Sequence, residues 1–184
     1  MVSENIRILR LSDRQEVPAI LTRVNQKNID DFETFWKPRI LSKTQGDEYW
    51  DWQYKSRTYL SRGNYEAYAI EYEKITQGMM LIETENHRSW FDPSVRLVYV
   101  ATLETAPWNR FSFQSDPMFQ WIGSNLLRFA KFRSQQLGYR GLVGLHSLPR
   151  AESFYEKLNM NNCGKDPDKD NFTYFEWYKS GERQ

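Results

Sequence analysis

Near the start of the chain the alternation of apolar and polar residues slips by one position. Ile6 and Ile8 flank Arg7, Leu9 and Leu11 flank Arg10, and the pattern changes face between Ile8 and Leu9. The slip predicts a short first strand with a bulge, ending at Ser12-Asp13, which reads as a helix cap. A helix is then expected to run to about Gln26, with Pro18 in its first turn. From Ile29 to Leu60 the pattern is helical in pieces. Phe32, Phe35 and Trp36 share one face up to Pro38, and Asp47 opens DEYWDWQYKSRTYL, with Gly46 and Gly63 as punctuation. Runs rich in β-formers follow at Tyr65 to Glu71, Gly78 to Glu83 and Val95 to Leu103, separated by turn-prone residues around Lys74 and from Ser89 to Ser94. They predict an antiparallel meander. Between Phe119 and Leu137 the residues Ile122, Leu126, Phe129, Ala130 and Leu137 recur at helical spacing, leaving Arg128, Lys131 and Arg133 for solvent. Gly138 closes that helix. A strand over Leu142 to Leu148, a helix over Ala151 to Leu158 and an aromatic strand over Phe172 to Tyr178 complete the order. The acidic run at 166 to 171, DPDKDN, reads as a solvated turn, because it lacks the glycine and distal glutamate of a calcium loop.

Length and charge narrow the picture. A chain of 184 residues supports one ordinary hydrophobic core, so a single domain over 1–184 is expected. Lysine plus arginine number 25 against 24 aspartate plus glutamate, so no overall field favours nucleic acid or an anionic membrane. Nucleic-acid binding through exposed aromatics would also need a basic stripe, which is missing. The first twenty residues lack the plan of a secretory signal, and no run of 18 apolar residues occurs, which reads as a soluble cytoplasmic protein. Cys163 is the only cysteine, excluding an internal disulfide and any multi-cysteine metal site. Aromatics form 16% of the chain, a loading that fits either an aromatic-lined pocket or an aromatic core.

Gly138 to Met160, GYRGLVGLHSLPRAESFYEKLNM, is the most distinctive stretch: a buried strand, a tight loop and a short amphipathic helix carrying Phe154-Tyr155-Glu156-Lys157-Leu158. It resembles the last strand-helix unit of the GNAT superfamily of N-acetyltransferases. The family often has asparagine where Leu148 stands and Gly-Phe where Asn159-Met160 stands. The resemblance implies an α/β fold with a mixed, mostly antiparallel sheet flanked by helices, and acetyl-CoA or another acyl-CoA as co-substrate. The family's pyrophosphate motif, Q/R-x-x-G-x-G/A, aligns with Met118 to Gly123, where only the last glycine survives and Trp121 replaces the first. Two readings stay open. In one, Gln120, Trp121, Ile122, Gly123 and Ser124 at the helix start still hold the phosphates, with Arg128 assisting. In the other, Trp121 plugs the slot and the chain is a non-catalytic binding module.

Forming an amide from a thioester requires a base for the amine, stabilisation of the carbonyl oxygen and an acid for the departing thiolate. The resemblance places Tyr155 as that acid. Glu104, at the end of the third β-rich run, reads either as a base facing the cleft or as an exposed strand-end carboxylate. Glu83 and Glu85, two apart and so expected on one face, are alternatives, and Glu83 is also a candidate acceptor-binding residue. His146, within the apolar strand GLVGLHSL, reads as a site residue or a hydrogen-bonded core histidine. His87 lies in a polar turn, and two histidines so separated give no metal signature. The segment 106–119 is long for a strand-helix connection. There Pro107 and Trp108 read as walls of the acyl site, with Asn109 and Arg110 for a polar substrate or the pantetheine arm, or else as a surface loop whose tryptophan is pinned in the core. In the family the first two helices shape the acceptor site, so Trp36, Trp50, Trp52 and Tyr54 are pocket or core residues. The expected activity is direct N-acyl transfer to a small-molecule or peptide amine, and a homodimer is left open.

Overall fold

The computed structural model describes residues 3–41 and 51–178. Strand β1 (Ser3–Arg10) and strand β2 (Gln15–Arg23) form an antiparallel hairpin whose register runs without interruption from Ser3 opposite Thr22 to Arg10 opposite Gln15. The expected bulge is therefore absent, and the expected helix after Asp13 is a strand. Period-two burial decides it: Val17, Ala19 and Leu21 point into the core while Pro18 and Ile20 face out. Pro18 is tolerated because pairing with the next strand begins only at Ile20. Asp13 serves the turn rather than a helix, accepting from Arg10 Nη2 at 2.7 Å and from the Gln15 N–H at 3.2 Å.

Helix α1 (Gln26–Asp31) starts at an asparagine pair that sequence reasoning missed. Asn25 Oδ1 accepts from the Lys27 N–H and Asn28 Oδ1 from the Asn25 N–H, both at 2.9 Å. A π-helical turn over Phe32–Trp36 leads into α2 (Lys37–Ile40). The wider turn rotates the faces, so Phe32 and Trp36 are buried while Phe35 is 39% exposed, and the three do not share a face. Helix α3 (Trp52–Tyr59) begins at Asp51, whose side chain caps the Tyr54 N–H at 2.8 Å. Gly46, Asp47 and Trp50 lie outside the described residues.

The meander follows as expected, with β3 (Tyr65–Tyr72), β4 (Ile75–Glu83) and β5 (Val98–Thr105) as successive neighbours. Glu73 and Lys74, both at positive φ, make the two-residue turn between the first pair. A short β6 (Phe119–Gln120) pairs with Leu9 and Arg10 of β1 and delivers the chain to α4 (Ile122–Gln136). Then come β7 (Val143–Ser147), α5 (Glu152–Lys157), β8 (Asn161–Asp166) and β9 (Phe172–Trp177). Strand β8 was not anticipated, because NNCGKD has no apolar alternation; it is an edge strand held by β9 alone.

Two compact units result. One contains the described residues within Met1–Leu81 and Thr102–Leu127, the other those within Ile82–Ala101 and Arg128–Gln184. In the first the strand order is β6-β1-β2-β3-β4-β5; in the second β5 continues to β7, β9 and β8. The pair β5–β7 is parallel, while β1–β2, β1–β6, β2–β3, β7–β9 and β8–β9 are antiparallel. The class is α/β, with a mixed, mostly antiparallel sheet flanked by helices. Among the described residues no helix is long and apolar enough to cross a membrane.

The core of the first unit is aromatic. Phe32, Trp36, Ile40 and Trp52 pack with Ala67, Ala69, Met79, Leu81 and Ala106. Gly78 of β4 lets α4 begin against the sheet: a Cβ there would collide with Ile122 Cγ2 and lie 3.2 Å from Leu126 Cδ1. Both side chains are fully or almost fully buried, so neither has room to retreat. Gly78→Ala should destabilise the fold by about 1–3 kcal/mol, as overpacked cores do. A denaturant titration checks this, and an unchanged midpoint would show that the start of α4 shifts freely.

Candidate active site

The start of α4 is built by the first unit alone. Trp121, between β6 and α4, has φ 72°, the left-handed conformation that favours glycine. Its carbonyl accepts from the Asn125 N–H at 2.9 Å and from Ser124 Oγ at 3.1 Å, closing the first turn. Asn125 Nδ2 donates to the Arg7 carbonyl at 2.8 Å and moors the helix to β1. The Trp121 side chain is 40% exposed, whereas Ile122 is buried and contributes only backbone at this end. Gln120 is exposed, and Gly123 and Ser124 are buried in the first turn. Arg128 is exposed on the part of α4 that belongs to the second unit. The N–H groups of a helix's first turn have no intrahelical acceptor and sit at the positive end of its dipole.

Glu104 is buried, 2% exposed, and not the exposed strand-end carboxylate that was one reading of the sequence. Its Oε2 accepts from Trp52 Nε1 at 2.8 Å and its Oε1 from Arg110 Nη2 at 3.1 Å, while Arg110 Nε donates to the Thr105 carbonyl at 2.6 Å. Burial pushes the Lys55 ammonium below its ordinary pKa, with the charge of Glu104 opposing the shift. The segment after β5 is organised around Gln77. Trp108 Nε1 and Asn109 Nδ2 donate to Gln77 Oε1 at 2.8 and 3.1 Å, and Asn109 Oδ1 accepts from the Phe119 N–H at 3.1 Å. Trp36, fully buried, meets Trp108 edge-on at 6.2 Å.

In the second unit Tyr155 of α5 is buried against Phe154 and Phe175, at ring distances of 5.2 and 5.5 Å. Burial raises its phenol far above the usual range, so it stays protonated at neutral pH. His146 of β7 bonds Tyr99 Oη through Nδ1 and Asp166 Oδ2 through Nε2. Burial lowers its pKa, with Asp166 opposing. Glu83 is 1% exposed and caps the turn after β4, its Oε1 accepting from the Glu85 N–H at 3.0 Å and from Asn86 Nδ2 at 2.9 Å. Glu85 is exposed beyond the strand end, so the two carboxylates do not share a face.

The structure thus brings Glu104, Trp36, Trp108, Asn109 and Gln120 to Ser124 into the first unit, and Tyr155, His146, Glu83 and Arg128 into the second. Sequence reasoning missed the clamp on Glu104 and the partners of His146. Both rest on pairings distant in the chain, and only the long loop before β6 hinted at the first.

No protein-family profile and no curated protein matches the chain. Solved structures do. The N-acetyltransferase YlbP of Bacillus subtilis, in complex with coenzyme A, is 17% identical over 86% of this chain and 95% of its own, with a TM-score of 0.54. A GNAT-family acetyltransferase of Listeria monocytogenes is 12% identical over 93% and 98%, with a TM-score of 0.59. The chain has the GNAT fold. An N-acyl amino acid synthase from uncultured soil microbes, FeeM, shares this GNAT fold at 11% identity over 87% and 89%, with a TM-score of 0.59. Within the GNAT fold, the strand-loop-helix at 143–157 and the helix begun by Trp121 occupy the chain order that the sequence resemblance anticipated.

Proposed function

We propose that the protein is an acyl-CoA-dependent N-acyltransferase, a single domain over residues 1–184 that moves an acyl group to an amine by direct attack. The observation that carries this reading is the backbone at Trp121. A 15-residue helix begins immediately after a residue held in the glycine-like conformation, although the residue is tryptophan. A left-handed residue costs a bulky side chain about 1–2 kcal/mol, and Trp121 is the aromatic one among the described non-glycine residues at positive φ. Presenting consecutive N–H groups to a phosphate is a use for that conformation. The residues present fit coenzyme A in this respect: Gln120 to Ser124 supply backbone at the helix start. The fold's appearance in a coenzyme A complex supports the same reading.

Bound acyl-CoA supplies the activated thioester carbonyl. Tyr155, protonated at neutral pH, donates a proton to the departing sulfur. Glu104, fixed by Trp52 and Arg110, is the candidate base for the acceptor amine. Trp108 and Asn109, fixed by Gln77, border the acyl and acceptor groups. The acceptor is a small-molecule or peptide amine.

Acetyl-CoA or a longer acyl-CoA should raise the melting temperature. At a hundredfold excess over Kd the gain is about 2.7 kcal/mol, or roughly 5–10 °C for a chain of this size. A series of acyl chain lengths reads the donor preference. No shift with any CoA thioester at millimolar concentration would favour a binding module that has lost the ligand.

A further inference from the structure

Of the seven tryptophans, all but Trp50 lie among the described residues, and all but one of these indoles are engaged by the protein itself. Trp52, Trp108 and Trp177 donate Nε1 to Glu104, to Gln77 and to the Leu158 carbonyl. Trp36 meets the rings of Phe32 and Trp108 edge-on, and Trp90 stacks on Tyr174. Trp121 is the exception. Among the described residues its indole has no hydrogen bond, no ring partner and no cation over its face, and it is exposed.

The fold uses only the main chain of this residue. Gln120 before it is paired with Leu9 of β1, and Asn125 after it is bonded to the Arg7 carbonyl, so the backbone between them is fixed from both sides. The Trp121 carbonyl closes the first turn of α4. The indole is therefore carried on a rigid base at the surface of the first unit, and half-exposed Met118 makes the approach to it apolar. In coenzyme A one ribose joins the nucleobase to the pyrophosphate. A residue whose main chain borders the phosphates thus has its side chain within about a sugar's length of the base. Indole and purine are both flat and apolar on their faces, and such pairs stack.

We propose that the Trp121 indole is the platform on which the nucleobase of acyl-CoA stacks. This rests on the acyl-CoA reading. One residue then holds the co-substrate twice, by main chain at the pyrophosphate and by side chain at the base. The bulk at the glycine position adds affinity instead of excluding the ligand, and it selects thioesters that carry the nucleotide over the bare pantetheine arm.

The test is equilibrium binding, read by calorimetry, of acetyl-CoA, of adenosine 3′,5′-bisphosphate and of acetyl-pantetheine, which lacks the nucleotide. Trp121→Leu keeps an apolar side chain and removes the aromatic face. It should weaken acetyl-CoA and the bisphosphate by about 5- to 150-fold, the range for one base on one ring, and leave acetyl-pantetheine unchanged. Trp121→Phe should recover most of that affinity. Proton NMR of the wild-type complex should show the Trp121 indole in contact with the base protons, a measurement that needs no variant to fold. Equal affinity of wild type and Trp121→Leu for both nucleotides, tighter acetyl-CoA binding by Trp121→Gly, or no indole-base contact in the complex would each overturn the proposal while CoA binding stands. A wild type that binds no CoA thioester at millimolar concentration would instead sink the acyl-CoA reading, and this role with it.

Discussion

Tyr155→Phe should lower kcat for acyl transfer by about 10- to 1000-fold while leaving stability close to wild type. The substitution keeps the ring that packs on Phe154 and Phe175 and deletes only the hydroxyl. Burial is the main cause of the raised phenol pKa, with the charge of Arg150 opposing it weakly. Such a group keeps its proton at neutral pH, and burial makes it a weaker acid than a free phenol, so donation waits until charge has developed on the departing sulfur. The penalty should shrink with donors whose thiol leaves easily, since a better leaving group needs less protonation. Single-turnover rates with a series of thioesters check this. Equal rates for the two proteins, with chemistry limiting, would remove Tyr155 from the reaction.

Arg110→Met should cost about 3–5 kcal/mol, the usual penalty for removing one partner of a buried ion pair. In a chain of this length that corresponds to a fall in melting temperature on the order of 10 °C. Glu104 and Arg110 are 1% and 10% exposed at the side chain, so water compensates neither. Methionine preserves most of the stem but removes the donors to Glu104 and to the Thr105 carbonyl. Adding Glu104→Gln should recover part of the loss, because an amide is cheaper to bury than a carboxylate that has lost its arginine. Thermal unfolding of the two single variants and the double variant forms the cycle. A single variant as stable as wild type would show that the segment after β5 is held by Gln77 and its neighbours alone.

Most of the central fold was legible, because β3, β4, β7 and β9 are short continuous runs of β-forming residues, β5 alternates, and α4 repeats its apolar residues at helical spacing. The misreadings have physical causes. Pro18 and the cap-like Ser12-Asp13 suggested a helix, whereas cross-strand burial of Val17, Ala19 and Leu21 made a strand. Phe35 left its expected face because one wide turn changes the angular phase of a helix. Strand β8 has no hydrophobic signature, since it takes its order from main-chain bonds to β9. At the candidate site, residue types were readable but relationships were not. Glu104 was visible as a strand-end carboxylate; its clamp depends on Trp52, 52 positions away, and on Arg110. His146 was visible inside its strand, but Tyr99 and Asp166 lie 47 and 20 positions from it.

The left-handed residue before α4 bears on how such proteins are found. In a phosphate-loop motif the letter G stands for a torsion angle, and the angle is what the ligand meets. Here mooring of the next turn to Arg7 and the confinement of Ile122 beside Gly78 accompany that angle around a tryptophan. Where neighbours hold the backbone, a residue other than glycine can occupy such a position at about 1–2 kcal/mol. Searches that match letters then lose the chain, while searches that match φ and ψ at the strand-to-helix junction keep it.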